Sequence, residues 1–426
     1  MCHRRVVESN QNPDFPNQYL PQREQRQHRG DERANSSPAA TMPPPLTHPL
    51  FSPPELSYTH TSLLLQPPIR PDARTPTQFR PIIAETNILP GTNGSARICF
   101  PDGNEAVVGV KAEVERSAGV IGSLLRKGGR GEGGGGDDNE EEGRKGVGEN
   151  AWVELTIEIP GLRDDDALPV FLAAMLNEAL LASGDLVDRL WINQRWHWKL
   201  YIDILLLSPP LSYPIPLLSL TTHLALLSAR LPRLISEADE DPLFDNDWEA
   251  SIHLYPRHNK SSEPTPSKPT ATKPKPREQP PVTLLVTVVG ENIFFDPSLE
   301  EIAVADLLLA VSISETIDDS EPPPEPKPTT TKPPRNIRLL SLRTIDPPAR
   351  LTPPGVPDAL NTAVTQAETP KNKAATTDAD VDYSGVWVPP KGGSKRKLIG
   401  RIIQMVIEHG GVGEEVLEGL EGVDVG

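Results

Sequence analysis

Residues 282–314 read VTLLVTVVGENIFFDPSLEEIAVADLLLAVSIS, and three breaks divide the stretch. VTLLVTVV is a β-branched apolar run of strand length, Gly290 supplies a turn, and NIFF resumes in strand pattern. Pro297 followed by Glu300 and Glu301 marks the start of a short helix, with Asp296 reading as its N-cap and Pro297 at the first helical position. LLLAVSIS then closes the unit as another strand. Strand, turn, strand, helix and strand in this order predict an α+β fold.

The chain upstream repeats the theme. Residues 93–115, NGSARICFPDGNEAVVGVKAEVE, form two β-rich runs joined at Pro101-Asp102-Gly103-Asn104, which predicts a hairpin with a tight turn. Trp152–Ile159 alternates as a strand, and a helix is predicted over Asp164–Ser183, opened by three aspartates that favour the positive end of its dipole. Leu200–Leu207 reads as a further strand. Leu217–Leu231 is apolar on nearly every side, so a deeply buried helix is expected there. Near the start, Ser52–Gln66 reads as a helix with Ser52 at the N-cap and Pro53 and Pro54 in the first turn.

Low-complexity stretches separate these elements. The 426 residues include 49 prolines and 31 glycines, clustered in blocks that a core would not tolerate. Residues 1–50 read as a disordered tail, 119–150 as a Gly-rich acidic insertion, and 257–281, 318–334 and 346–383 as linkers or insertions. The implied organisation is a first domain over 51–235, a second over 236–409 and an acidic tail over 410–426, with a helix over Ser394–Glu408 that is basic at its start.

The net charge of −17 argues against a chain that grips nucleic acid unaided, because phosphate contacts rest on Lys and Arg. Two cysteines, Cys2 and Cys99, exclude a disulfide framework and suggest a reducing compartment. Met1–Arg33 has no apolar core of a secretory signal. Ile204–Ala229 carries no Asp, Glu, Lys or Arg, yet four prolines interrupt it, so a buried strand followed by a buried helix is the reading rather than a membrane span.

Six segments in order carry a resemblance: IRPDAR (69–74), NGSARICF (93–100), VVGVKAEVE (107–115), LYIDILLL (200–207), ARLPRL (229–234) and FFDPSLEEIAVADLLLAVS (294–312). Together they resemble the RNase PH-like subunits of the eukaryotic RNA exosome, over about 70–235 and 243–315, and the insertions give the chain the look of a fungal-type member. One departure is Ala73, where the family usually has the glycine of an RPDGR turn.

That resemblance implies an RNase PH-like fold of two βαβ-type halves, the first resembling ribosomal protein S5 domain 2. It also implies a place in a hexameric ring around an RNA channel. The expected partners are other RNase PH-like exosome subunits, with a heterodimer partner resembling mRNA transport regulator 3, S1 and KH domain cap subunits, a hydrolytic nuclease subunit, and RNA through the shared channel. Nucleus, nucleolus and cytoplasm are the expected locations.

In active RNase PH enzymes the strand matching Leu200–Leu207 is followed by a Gly, Thr/Ser and Arg loop that binds phosphate. Here that loop, residues 208–216, is SPPLSYPIP. Proline has no N–H to donate, and the loop contains no cation. The expectation is a non-catalytic structural subunit with no cofactor and no metal, supporting 3′ to 5′ RNA degradation and processing. The alternatives are an active phosphate-dependent 3′ to 5′ exoribonuclease and a free RNA-binding or scaffold protein outside any ring.

Candidate RNA contacts are Arg70, Arg74, Arg97 and Lys111, weighed against ordinary salt bridges, and the seven Lys, Arg or His residues between Arg257 and Arg277 form a weaker candidate. Asp203 reads as a strand aspartate bonded to a neighbouring backbone or Arg, and Asp306 as the partner of a buried or interfacial Arg. His197, His223, His253 and His409 show no metal spacing.

Overall fold

A computed structural model describes residues 51–117, 148–210, 212–236, 240–255, 277–317, 335–345 and 395–424. The tail 1–50, the body of the 119–150 insertion and the stretches 256–276, 318–334 and 346–394 lie outside the described residues.

The first half is a five-stranded sheet in the order β1-β2-β3-β5-β4. Its strands are β1 (Ile83–Thr86), β2 (Gly94–Cys99), β3 (Glu105–Arg116), β4 (Val153–Glu158) and β5 (Trp196–Leu206). β2 and β3 are the hairpin read from 93–115, turning at Gly103, whose φ of 86° suits a residue without a Cβ. β4 and β5 run parallel, so they need a crossover, which helices α2 (Ala167–Leu181) and α3 (Asp185–Arg189) supply. The three aspartates precede α2 rather than opening it, with Asp166 at the N-cap.

Helix α4 (Ile215–Ser228) is buried along its whole length, packed against β2 and β3 on one side and a strand of the second sheet on the other. A sheet on each flank explains why its sequence has no polar stripe. Its few polar atoms find partners inside: Thr221 and Thr222 donate to the Leu217 and Leu218 carbonyls at 2.7 Å, and Ser219 Oγ accepts the Thr283 N–H at 2.7 Å.

The second sheet is antiparallel, in the order β10-β9-β11-β12, built from β9 (Val282–Val289), β10 (Asn292–Phe295), β11 (Leu307–Ile317) and β12 (Ile337–Ile345). The two-residue strand β8 (Arg277–Glu278) pairs with the end of β11, so the linker read over 257–281 ends in the sheet. β10 and β11 are joined by helix α5 (Leu299–Ala303) and are separated by β9, which makes the second half a split βαβ unit. Every residue of β9 is buried, as the unbroken apolar run implies.

One correction comes from the C-terminal part. The segment read as an acidic tail folds as α7 (Val412–Glu421), buries Val412, Leu417 and Leu420, and packs on α6 (Arg396–Ile407). Gly413 sits against the Val406 carbonyl and Ile313, where a Cβ would come within 2.8 Å of both. At the other end, α1 (Pro53–Leu64) begins where the sequence placed it, with a Ser52–Glu55 capping box.

Arg189 joins the halves. Its guanidinium donates to Asp185, to the Leu254 carbonyl at 3.0 Å and to the Glu278 carbonyl at 3.2 Å, and lies 4.5 Å from the Tyr255 ring centroid. Among the described residues no helix is long and apolar enough to cross a membrane.

Candidate anion site and its arginine–carboxylate cluster

The loop after β5 leads into α4, whose N-terminal end has Pro214 as cap and Pro216 in the first turn. Four prolines lie between Ser208 and Pro216. Each removes a donor from the place where a helix N-terminus would meet an anion. Ile215 is fully buried in the core.

The loop nevertheless has a cation beside it. Arg80, which no local motif singled out, arrives from a separate segment and donates to Ser212 Oγ at 3.1 Å and to Asp102 at 2.6 Å. Its remaining donors go to Asp296, at 2.9 Å from Nε to Oδ2 and 2.6 Å from Nη2 to Oδ1. Asp296 also accepts the Arg80 backbone N–H and a 2.9 Å bond from Arg74 Nη1. Burial pushes the Asp296 carboxyl up, but the bonds and charge of Arg80, with Arg74, more than reverse this and hold it below the ordinary aspartate value.

Arg70 completes the cluster. Its Nε and Nη2 grip Glu301 at 2.7 and 2.8 Å, and the same guanidinium donates to the carbonyls of Thr75, Phe295 and Asp296 at 3.1, 3.2 and 3.0 Å. Both side chains are fully buried. Three arginines (70, 74, 80) thus face four carboxylates (Asp72, Asp102, Asp296, Glu301), a surplus of one negative charge. An incoming phosphate would have to displace a carboxylate from each arginine it contacted.

This cluster corrects the reading of several residues. Arg70 and Arg74 sit in ion pairs, the alternative weighed for them: Arg70 has no exposed side-chain surface, Arg74 is 9% exposed, and both hold the 70–80 segment onto the second half. Asp296 is not the helix cap. It adopts φ +48° and turns its carboxylate to the arginines, while Ser298 caps α5 through a reciprocal box with Glu301. Pro297 and Ser298 both suit a helix start, and the helix begins after the second of them. Ala73 holds the left-handed turn at φ +61° that a glycine would occupy more easily.

Arg97 and Lys111 lie elsewhere, on the outward face of the first sheet. Arg97 pairs with Glu105 and Glu85, and Lys111 with Glu113 at 2.7 Å. These pairings raise the pKa of both cations. Glu115, Glu154, Glu158 and Asp203 are exposed around them, so the four candidate cations do not form one basic track. Asp203 accepts from Thr156 Oγ1 at 2.7 Å, a side-chain partner on β4 in place of the backbone or Arg expected. Asp306 accepts the Gly290 N–H at 2.6 Å. Of the basic linker, only its end at Arg277 falls within the described residues.

The resembling motifs serve packing. Gly94 of GSAR passes the end of α4 so closely that a Cβ would stand 2.5 Å from the Ala229 backbone, and Ser95 N bonds Ser228 Oγ at 3.0 Å. A direct βαβ half, a split βαβ half and a shared buried helix between their sheets give this protein the RNase PH-like fold.

No protein-family model matches the chain. It is 32% identical over 267 residues to the exosome complex component RRP42 of Saccharomyces cerevisiae, covering 61% of this chain and 80% of that protein. Against exosome complex component rrp42 of Schizosaccharomyces pombe it is 30% identical over 276 residues, covering 61% and 77%. Among solved structures, an Archaeoglobus fulgidus exosome with RNA bound to the active site aligns at TM-score 0.43 and 16% identity over 68% of this chain and 87% of that one. An archaeal exosome core aligns at 0.39 and 18% over 68% and 84%. The chain belongs to the family of exosome complex component RRP42.

Proposed function

We propose that this protein is a structural subunit of the RNA exosome ring that performs no phosphorolysis itself and supports 3′ to 5′ RNA degradation and processing by forming part of the channel wall. The observation that carries this reading is Arg80: the guanidinium that bonds Ser212 of the loop after β5 is held by Asp296 and Asp102, and the prolines of that loop withhold backbone donors. A phosphorolytic centre needs backbone N–H groups and a guanidinium directed at the anion. Family membership supports exosome subunits as partners, with another RNase PH-like subunit, resembling mRNA transport regulator 3, beside it in the ring, S1 and KH domain subunits above, and a hydrolytic nuclease receiving the RNA. The locations that go with this role are nucleus, nucleolus and cytoplasm.

Affinity purification of the tagged chain from its own cells tests assembly. Recovery of ring and cap subunits in near-equal amounts is expected, and a chain recovered alone would contradict it. Calorimetric titration with inorganic phosphate tests the site. No saturable heat is expected, whereas binding abolished by Arg80→Ala would restore the exoribonuclease reading.

A further inference from the structure

Between the two halves, residues 230–236 and 243–253 form a narrow antiparallel ribbon. β6 (Arg230–Leu231) pairs with β7 (Ile252–His253), Leu234 bridges Phe244, and Ile235 N donates to the Leu243 carbonyl at 2.8 Å. One side is anchored: Phe244 packs on Trp198 at 4.9 Å between ring centroids. Elsewhere the ribbon and its turn expose large apolar groups, with Ile235, Leu243, Trp248 and Ile252 each more than half open to solvent. Four large exposed apolar groups on so short a ribbon mark an interaction surface.

Two further features define what fits. A single-turn 3-10 helix (Trp248–Ala250), capped by the Asp247 carboxylate accepting from Glu249 N at 3.0 Å, holds the indole as one wall of an open cleft of about 570 Å³. The 87–93 loop, Ser228 and Arg230 form the rest of it. That volume takes one or two bulky side chains. Along the ribbon and its turn stand Glu240, Asp241, Asp245, Asp247 and Glu249 against Arg230 and Arg233, with Arg195 paired to Asp241 at 3.7 Å and Arg230 itself lining the cleft. This is the wrong sign for a phosphate backbone and the right one for a lysine- or arginine-bearing segment.

We propose that this ribbon docks a basic, aliphatic segment of a partner protein, with one bulky apolar side chain entering the cleft against Trp248 and flanking Lys or Arg residues facing the ribbon's carboxylates. A central Trp ringed by polar groups is the usual form of a binding hot spot. The surface is separate from the arginine cluster, so the inference stands whether or not the chain performs phosphorolysis.

The test is an array of twelve-residue peptides that permutes Lys/Arg, Glu and Leu/Ile/Phe over the positions, probed with the full chain and followed by fluorescence anisotropy. Basic-aliphatic peptides should bind at least tenfold tighter than their Glu-substituted counterparts and weaken as salt rises. Trp248→Ala and the pair Asp247→Asn/Glu249→Gln should each weaken binding at least tenfold while circular dichroism stays unchanged. Glu113→Gln on the outward sheet face should leave it as it was, which separates the ribbon from general attraction to an acidic chain. Absence of binding, equal binding of basic and acidic peptides, indifference to Trp248→Ala, or a fluorescent oligo(A) bound through Trp248 in preference to peptide would each overturn the proposal.

Discussion

Glu301→Gln is the most informative single change in the cluster. Glutamine keeps the shape of the side chain and its ability to close the capping box with Ser298, so the substitution removes mainly the charge opposite Arg70. Because both partners are fully buried, the guanidinium would keep only the part-exposed Asp72, 3.7 Å away, as a counter-charge, a loss of up to about 3–5 kcal/mol. Native proteins are stable by only about 5–15 kcal/mol, so between about a fifth of the margin and the whole of it would go. The corresponding fall in Tm is roughly 6–20 °C, at about 2–4 °C per kcal/mol for a domain of this size. Urea unfolding followed by far-UV circular dichroism reads the change as a lower midpoint at constant slope. Arg70→Met should cost at least as much, since three backbone carbonyls lose their donor as well. The double variant should cost clearly less than the sum of the two. A Glu301→Gln loss under about 1 kcal/mol, or strict additivity, would refute the claim that this pair clamps the 70–80 segment to the second half.

Three other outcomes follow from the same structure. Ala73→Gly should stabilise the protein by up to about 1 kcal/mol in urea, because it relieves the left-handed strain at φ +61° at the expense of some chain entropy; a destabilised variant would show that the turn is not strained. Gly94→Ala should destabilise by about 1–3 kcal/mol, since its Cβ meets the Ala229 backbone at 2.5 Å and one chain must move; an unchanged urea midpoint would contradict that close approach. Asp296 and Asp72 both have folded pKa values below their ordinary ones, each raised by burial and lowered further by its arginines. Their stabilisation should therefore be complete above the unfolded value of about 3.9 and be lost as pH falls below it, through the lower folded values. A pH titration of stability in which Asp296→Asn leaves the acid limb unchanged would contradict this.

Most of the fold was legible because its signals are local. The 93–115 hairpin, the Ser52 cap, the buried helix after the prolines and the strand–helix–strand order of 282–314 depend on periodicity and turn chemistry within a few residues. The elements that were missed depend on contacts far along the chain. β12 follows a proline-rich stretch and is ordered by pairing with β11. α7 carries acidic residues typical of a tail, yet its apolar positions 412, 417 and 420 have the spacing of one helix face. The candidate site was half legible. The prolines showed what the loop after β5 lacks, but Arg80 reaches that loop from more than a hundred residues away. Its only local sign is an arginine beside Pro81 in a segment without regular structure. The same distance hid the fates of Arg70 and Arg74, whose partners Glu301 and Asp296 lie in the other half.

We propose that the loop after β5 and its arginines handle no phosphate in this chain. Release of ADP from poly(A) in the presence of inorganic phosphate and magnesium, by the purified chain and by the chain co-expressed with its ring partner, tests this most directly. No phosphate-dependent ADP should appear from either preparation, and Asp203→Asn should change no rate. Phosphate-dependent ADP release that disappears with Arg80→Ala or Asp203→Asn, in a variant that still folds and assembles, would contradict it.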